Sequence, residues 1–401
     1  MCKKSNIFLY GLGMLFVTFL ILLFANPLGP QLSIIGARGE VPFDDFFNVM
    51  IYIADNNPYF NELNGFAQKP YLPISYVIMD LFSSFGNYSG ITLDECYVQH
   101  TALIGCYIFT LLSVIIFLHS IYSLLLRQKR TKLVLVVFFL SVFWFSVERG
   151  NLMMLTVAMM NYFISYYDSP CKKIRYFSLL ALCLASVLKV YPVIWGLLLL
   201  KDKRYRDIAI CVVVSLLLTF IPFLYFENGF NNIPQLLNNI NENSTLFGPK
   251  FVFPRYGFAP GLYILMHFVR LDENIIDIVL LLARLFTYIM TGLSIWLFMK
   301  KQVCWKTMMI ITISIIMFPA NSGLYSLLYI FPALFLYLNS DTIQKKDYIY
   351  LGLLILTLNP IQFVLKDFSV TYLIANFSLI ALWILLILDI LIKPTLSLKY
   401  E

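Results

Sequence analysis

YFSLLALCLASVLKVYPVIWGLLLL, Tyr176–Leu200, is an apolar run with a lysine and a proline at its middle. Lys172, Lys173 and Arg175 precede it, and Lys201, Lys203, Arg204 and Arg206 follow it. Basic clusters beside apolar runs mark the cytoplasmic side of a membrane, so both ends of this run belong on that side. Twenty-five residues of helix reach only about 37 Å, whereas two full crossings of the hydrocarbon core need about 60 Å. The stretch is therefore expected to form a short broken hairpin turning near Lys189-Val-Tyr-Pro192, because Pro192 removes a backbone donor and disfavours helix in the residue before it. Non-helical backbone and a lysine at depth are tolerated where they line a protein cavity.

The rest of the chain fits the same setting. It is 401 residues long, 60% hydrophobic and 13% charged, with a mean hydropathy of +0.80. That is more apolar surface than a soluble core of this length buries. Apolar runs at 7–25, 101–126, 133–147, 152–167, 208–226, 275–299, 305–318, 324–338, 348–364 and 371–392 have lengths suited to helices crossing a bilayer. With the hairpin counted as two short helices, the expectation is an all-α polytopic membrane protein of about twelve membrane segments, both termini cytoplasmic. The first run follows Lys3 and Lys4 but lacks a small-x-small cleavage site and is read as a retained helix. Two large extracytoplasmic loops remain, 26–99 and 227–274, and the whole of 1–401 reads as one membrane domain. The apolar stretch Tyr71–Phe85 in the first loop is expected to lie in the interface. The net charge of +7 sits mostly in the short cytoplasmic connections, so it orients the protein and does not call for nucleic acid. The composition is that of an AT-rich bacterial genome, which makes a bacterial plasma membrane the expected location.

The chemistry-bearing residues gather on the extracytoplasmic face. In VPFDDFFNVMIYIADNNPYF, Val41–Phe60, Asp44 and Asp45 stand among aromatic residues. Shielding and a neighbouring carboxylate raise a carboxyl pKa toward the range of a general base; Asp44 alternatively caps a helix Asp45–Ala54. Glu148-Arg149-Gly150-Asn151 stands between two apolar runs, where Arg149 can bind a phosphate or can pair with Glu148. Lys189 inside an apolar run calls for either a bound phosphate or an acidic partner. Arg255, in the second loop, adds positive charge on the face of the aspartates. The seven cysteines and three histidines show no disulfide or metal-ligand spacing, and neither a P-loop nor a dinucleotide fingerprint is present. No cofactor and no metal are expected.

In order along the chain stand DFFN from Asp45, NNPY (Asn56–Tyr59), PYLPISY (Pro70–Tyr76), RGNLMML (Arg149–Leu155), LKVYP (Leu188–Pro192) followed by KDKRYR, NENSTLFG (Asn241–Gly248) and FPANSGLYSLLYIFP (Phe318–Pro332). Together these motifs resemble the integral-membrane glycosyltransferases of the GT-C superfamily, and within it glycosyltransferase family 87. The resemblance implies inverting transfer of a hexose, mannose-like, from a polyprenyl-phosphate sugar to a lipid-linked or glycan acceptor hydroxyl at the outer face. It implies Asp45 as general base with Asp44 in reserve, and Lys189 and Arg149, with Arg255, as donor-phosphate contacts. Asn151, Tyr191, Asn243, Asn321 and Tyr325 are the expected substrate-lining positions; a histidine frequent in the family after the last motif is absent, with Tyr325 nearby. A polysaccharide polymerase or ligase, and a transporter of lipid-linked oligosaccharides, are the rival classes. The transporter should show repeat symmetry and polar residues through the midplane, whereas here the polar mass is on one face.

Overall fold

A computed structural model describes residues 4–25, 32–33, 42–55, 57–125, 134, 136–248, 250, 255–319, 322–339, 343–359, 362–365 and 368–392. Its helices in chain order are α1 (Lys4–Ala25), α2 (Asp44–Ala54), α3 (Pro73–Ser83), α4 (Leu93–Val98), α5 (His100–Leu124), α6 (Ser141–Arg149), α7 (Met153–Tyr166), α8 (Lys172–Leu188), α9 (Leu197–Lys201), α10 (Tyr205–Phe220), α11 (Ile233–Leu246), α12 (Phe258–Val269), α13 (Glu273–Lys300), α14 (Trp305–Met317), α15 (Phe331–Asn339), α16 (Lys345–Thr357) and α17 (Val370–Ile392). Among the described residues α5, α10 with its continuation to Tyr225, α13 and α17 are long and apolar enough to cross a membrane.

The chain falls into two compact units. The first comprises Met1–Gly36, Leu124–Phe145 and Gly248–Glu401. Its central element is α14, in which every residue from Thr307 to Met317 is buried; a helix apolar on all sides is one surrounded by others, here α13, α15 and α17. At the Trp305 end of α14 charges converge. Asp389, near the end of α17, pairs with Lys306 and with Lys346 of α16, and Lys4 of α1 lies 3.3 Å from Asp347. Three elements whose basic residues the sequence assigns to one side, α1, α14 and α16, thus meet the Asp389 end of α17 at one end of this unit.

Two expected spans are corrected here. The run 348–364 does not stay helical: α16 stops at Thr357, and Gln362–Leu365 forms a short strand that pairs antiparallel with Leu32–Ser33 and Phe368–Ser369. Pro360 disfavours helix in the residue before it and explains the stop. The run 133–147 is interrupted at 139–140 before α6 begins, and the Trp144 indole donates to the Phe138 carbonyl at 2.8 Å, satisfying a backbone group freed by the break.

The second unit comprises Ala37–Ser123 and Ser146–Phe247. Its core is aromatic, with Phe46, Tyr59, Tyr76 and Phe109 packed around the buried faces of α2 and α3. Pro73 opens α3 at a position where its missing N–H is no loss. Gly105 lets α5 approach the end of α3 closely, since a Cβ there would meet the Phe82 carbonyl oxygen at 2.0 Å. α7 and α8 pack side by side, and α8 ends at Leu188. Lys189 is extended (φ −146°, ψ 121°), and a 3-10 turn, Tyr191–Gly196, packs back against α8 before α9. The break therefore falls at the LKVYP stretch where the sequence places it.

A stripe of asparagines ties the two polar loops of this unit together. Asn232 accepts from Asn57 at 2.9 Å, Asn239 donates to the Tyr59 carbonyl at 3.2 Å, and Asn243 donates to the Ala67 carbonyl at 2.6 Å. Asn232 and Asn239 are fully buried, and their seven-residue spacing places them on one face of the helix.

Candidate functional site

The site is built where the start of α2 meets the end of α6 and the residues that follow it. Phe43, just ahead of Asp44, is held in the left-handed region (φ 63°), an outlying conformation for a bulky residue. Its amide donates to the Glu148 carbonyl at 2.5 Å. No side chain caps α2, so Asp44 does not act as its cap; it occupies the first turn with Asp45, and both carboxylates turn to partners.

Arg149 joins the two acids. Its guanidinium lies 3.0 Å from Asp44 Oδ2 and also contacts Asp45 Oδ1. Asn151 Nδ2 donates to Asp45 Oδ2 at 2.9 Å, while its own carbonyl oxygen accepts from the Met153 amide at the start of α7. Asp44 Oδ1 accepts from the Tyr97 hydroxyl at 3.0 Å, which α4 delivers; α4 begins with a Thr92–Glu95 capping box. A carboxylate offers about four lone-pair positions, so Asp45 keeps capacity for a further hydrogen bond.

Asp45 borders a small cleft of about 10 Å³, room for about one water, whose other walls include Tyr71, Ser75, Tyr76, Met79 and Asn151. Asp44 does not line it. Lys189, at the break after α8, places its ammonium 4.5 Å from the centre of the Tyr71 ring. Burial pushes the Asp45 carboxyl, which lies outside the candidate spanning helices, from the ordinary aspartate value up to about 6, against the Asn151 hydrogen bond. The charge of Asp44 adds to the rise and that of Lys189 opposes it. Asp45 is thus a carboxylate near neutrality, beside a cleft and in the field of a lysine.

Gly150 makes the approach possible. It has φ +61°, and a Cβ there would sit 3.1 Å from Phe46 Cβ and 3.2 Å from Phe43 Cδ1. Gly150→Ala is expected to destabilise the protein by about 1–2 kcal/mol from the left-handed backbone alone, seen as a lower melting temperature in detergent.

The residues expected to act together fall into two groups. Asp44, Asp45, Arg149, Asn151 and Lys189 come together in the second unit. Tyr191, in the 3-10 turn after Lys189, is partly exposed. Asn243 uses its amide to hold the Ala67 carbonyl. Arg255 and Tyr325 belong to the first unit, where they interact electrostatically; Arg255 is buried, and Tyr325 stacks on Phe145 at 6.2 Å between ring centres. Asn321 lies outside the described residues. Tyr97, which holds Asp44, carries no local sequence signal that singles it out.

The sequence profile of glycosyltransferase family 87 matches residues 99–320, more than half of the chain. The chain belongs to glycosyltransferase family 87. The matched region of this glycosyltransferase holds Arg149, Asn151 and Lys189 and begins after Asp44 and Asp45. No curated protein and no solved structure matches the chain.

Proposed function

We propose that this family 87 glycosyltransferase is a GT-C-like enzyme, its whole chain forming one polytopic domain of about twelve membrane segments. It moves a hexose, mannose-like, from a polyprenyl-phosphate donor to a hydroxyl of a lipid-linked or glycan acceptor. The transfer takes place at the extracytoplasmic face of a bacterial plasma membrane, with both termini in the cytoplasm. The observation that carries this proposal is the Asp45 carboxylate, bordering a cleft, bonded by Asn151 and Arg149 and set in the field of Lys189.

The step is a single displacement. The acceptor oxygen attacks the anomeric carbon and its proton passes to Asp45; the bond from that carbon to the phosphate oxygen breaks, and the polyprenyl phosphate leaves with the electron pair. Attack opposite the leaving group inverts the anomeric centre. Lys189 is the cation for the departing phosphate. Arg149 is a second, shared between the two aspartates, and Asp44 positions it.

Incubating the purified protein with radiolabelled polyprenyl-phosphate mannose, glucose or galactose and lipid-linked acceptors tests the proposal; no transfer from any donor would favour the transport class. The base must be ionised to work, so the rate is expected to rise with pH through about 6, where Asp45 titrates. Because Asp44 raises the Asp45 pKa, Asp44→Asn should move that limb to lower pH. A profile unmoved by Asp44→Asn would argue against Asp45 as the titrating group.

A further inference from the structure

The narrow cleft beside Asp45 has two polar groups in one wall that the transfer step leaves unused. Ser75 is 1% exposed and Tyr76 is fully buried, and both line the cleft. Neither hydroxyl has a hydrogen-bond partner among the described residues. The Leu72 carbonyl, the natural local acceptor for Ser75, already receives the Ser75 amide at 3.0 Å. The Tyr71 amide stands near the Tyr76 hydroxyl without the geometry of a bond. Buried hydroxyls are nearly always paired, so two unpaired ones in one wall point to a shared partner in the space they border.

The size and chemistry of that space restrict what the partner is. About 10 Å³ admits one water and nothing larger. A buried water needs about two to four polar neighbours, and the walls supply the two hydroxyls, the Asp45 carboxylate and the Asn151 amide. Asp45 has capacity for it: Arg149 contacts Oδ1 and Asn151 bonds Oδ2 at 2.9 Å, which leaves lone pairs open on the carboxylate.

We propose that the cleft binds one ordered water, which donates to the Asp45 carboxylate, accepts from the Ser75 and Tyr76 hydroxyls, and so sets the carboxylate as a base. The role of the water rests on the transfer proposed above. Arg149 and the Asn151 amide nitrogen can only donate, which suits the ionised base and not the acid it becomes. Water and hydroxyls both donate and accept. When Asp45 has taken the acceptor's proton, its O–H can donate to the same water, which then turns a hydrogen to Ser75 or Tyr76, so the carboxyl has a partner in both states. A donor to the ionised form lowers a carboxyl pKa, and loss of the water therefore raises that of Asp45. The charged and titratable groups around Asp45 are Asp44, Tyr52, Arg149, Lys189, Tyr71 and Tyr76. Of these the variants below alter only Tyr76, whose phenol burial holds in the neutral form.

The test joins a density map of the enzyme in detergent, at a resolution that shows ordered water, to the pH–rate profiles of variants. The wild type should show a water within hydrogen-bond distance of Asp45 and of Ser75 or Tyr76. Ser75→Ala and Tyr76→Phe, which keep the helix and the ring, should each retain it, and the double variant should lose it. In the double variant the acidic limb should move up by about one pH unit, which lowers the rate on that limb about tenfold, and the melting temperature should not increase. A dry cleft gives the reverse, because removing unpaired buried hydroxyls is neutral or stabilising. A raised melting temperature with an unmoved limb, or a wild-type map that shows other buried waters and none here, would overturn the proposal. The transfer reading fails separately. If the water is seen and is lost in the double variant, yet neither that variant nor Asp44→Asn moves the limb, Asp45 is not the titrating base and the water site alone stands.

Discussion

Asp45→Asn is expected to cut sugar transfer by about 10²–10⁴-fold, the range a positioned general base contributes. The substitution keeps the size of the side chain and its place in the first turn of α2, and one amide oxygen can still accept from Asn151, whose own position is fixed by the Met153 amide. Expression, membrane insertion and melting temperature should survive, because the amide removes a half-buried charge. The loss should appear in kcat, with the donor KM little changed, since Asp45 acts on the acceptor proton and not on the phosphate. Activity retained at the wild-type level would hand the base role to Asp44, and Asp44→Asn would then have to show the deficit.

Lys189→Met is the second large effect, a fall in donor turnover of about 10²–10³-fold, the size seen when one donor to a developing anion is removed. Methionine keeps an unbranched apolar stem over the Tyr71 ring that the ammonium now faces at 4.5 Å, so packing at the hairpin tip should hold. The charge makes a second prediction at the same residue. Lys189 lowers the Asp45 pKa; without it the carboxyl should ionise at higher pH, and the acidic limb of the rate profile should shift upward, opposite to the shift expected for Asp44→Asn. A fall in rate with an unmoved limb would separate Lys189 from the base and leave it to the phosphate alone.

Much of this arrangement is visible in the amino-acid order. Asp45, Arg149, Asn151 and Lys189 stand out because each is polar or charged at the edge or middle of an apolar run, where a solvated role is costly. The break at Lys189 follows from length against the bilayer and from Pro192. What the order does not reveal depends on long-range pairing. Tyr97 reaches Asp44 across 53 positions, and Asn243 reaches Ala67 across 176, so neither leaves a periodic trace. The cap offered as the alternative role of Asp44 fails for a related reason: Arg149, from a segment distant in sequence, takes the carboxylate. The strand at Gln362–Leu365 has no separate signal because a short apolar run reads alike as strand and as helical span.

The bond from the Phe43 amide to the Glu148 carbonyl, with Gly150 pressed against Phe43 and Phe46, sews two distant stretches of chain back to back. The carboxylates and the guanidinium therefore travel as one rigid block, and whatever loosening admits a substrate has to be sought in the movable neighbours of that block. Slow amide hydrogen exchange at Phe43, beside faster exchange at the hairpin tip around Val190, would be the visible trace of such a division of labour.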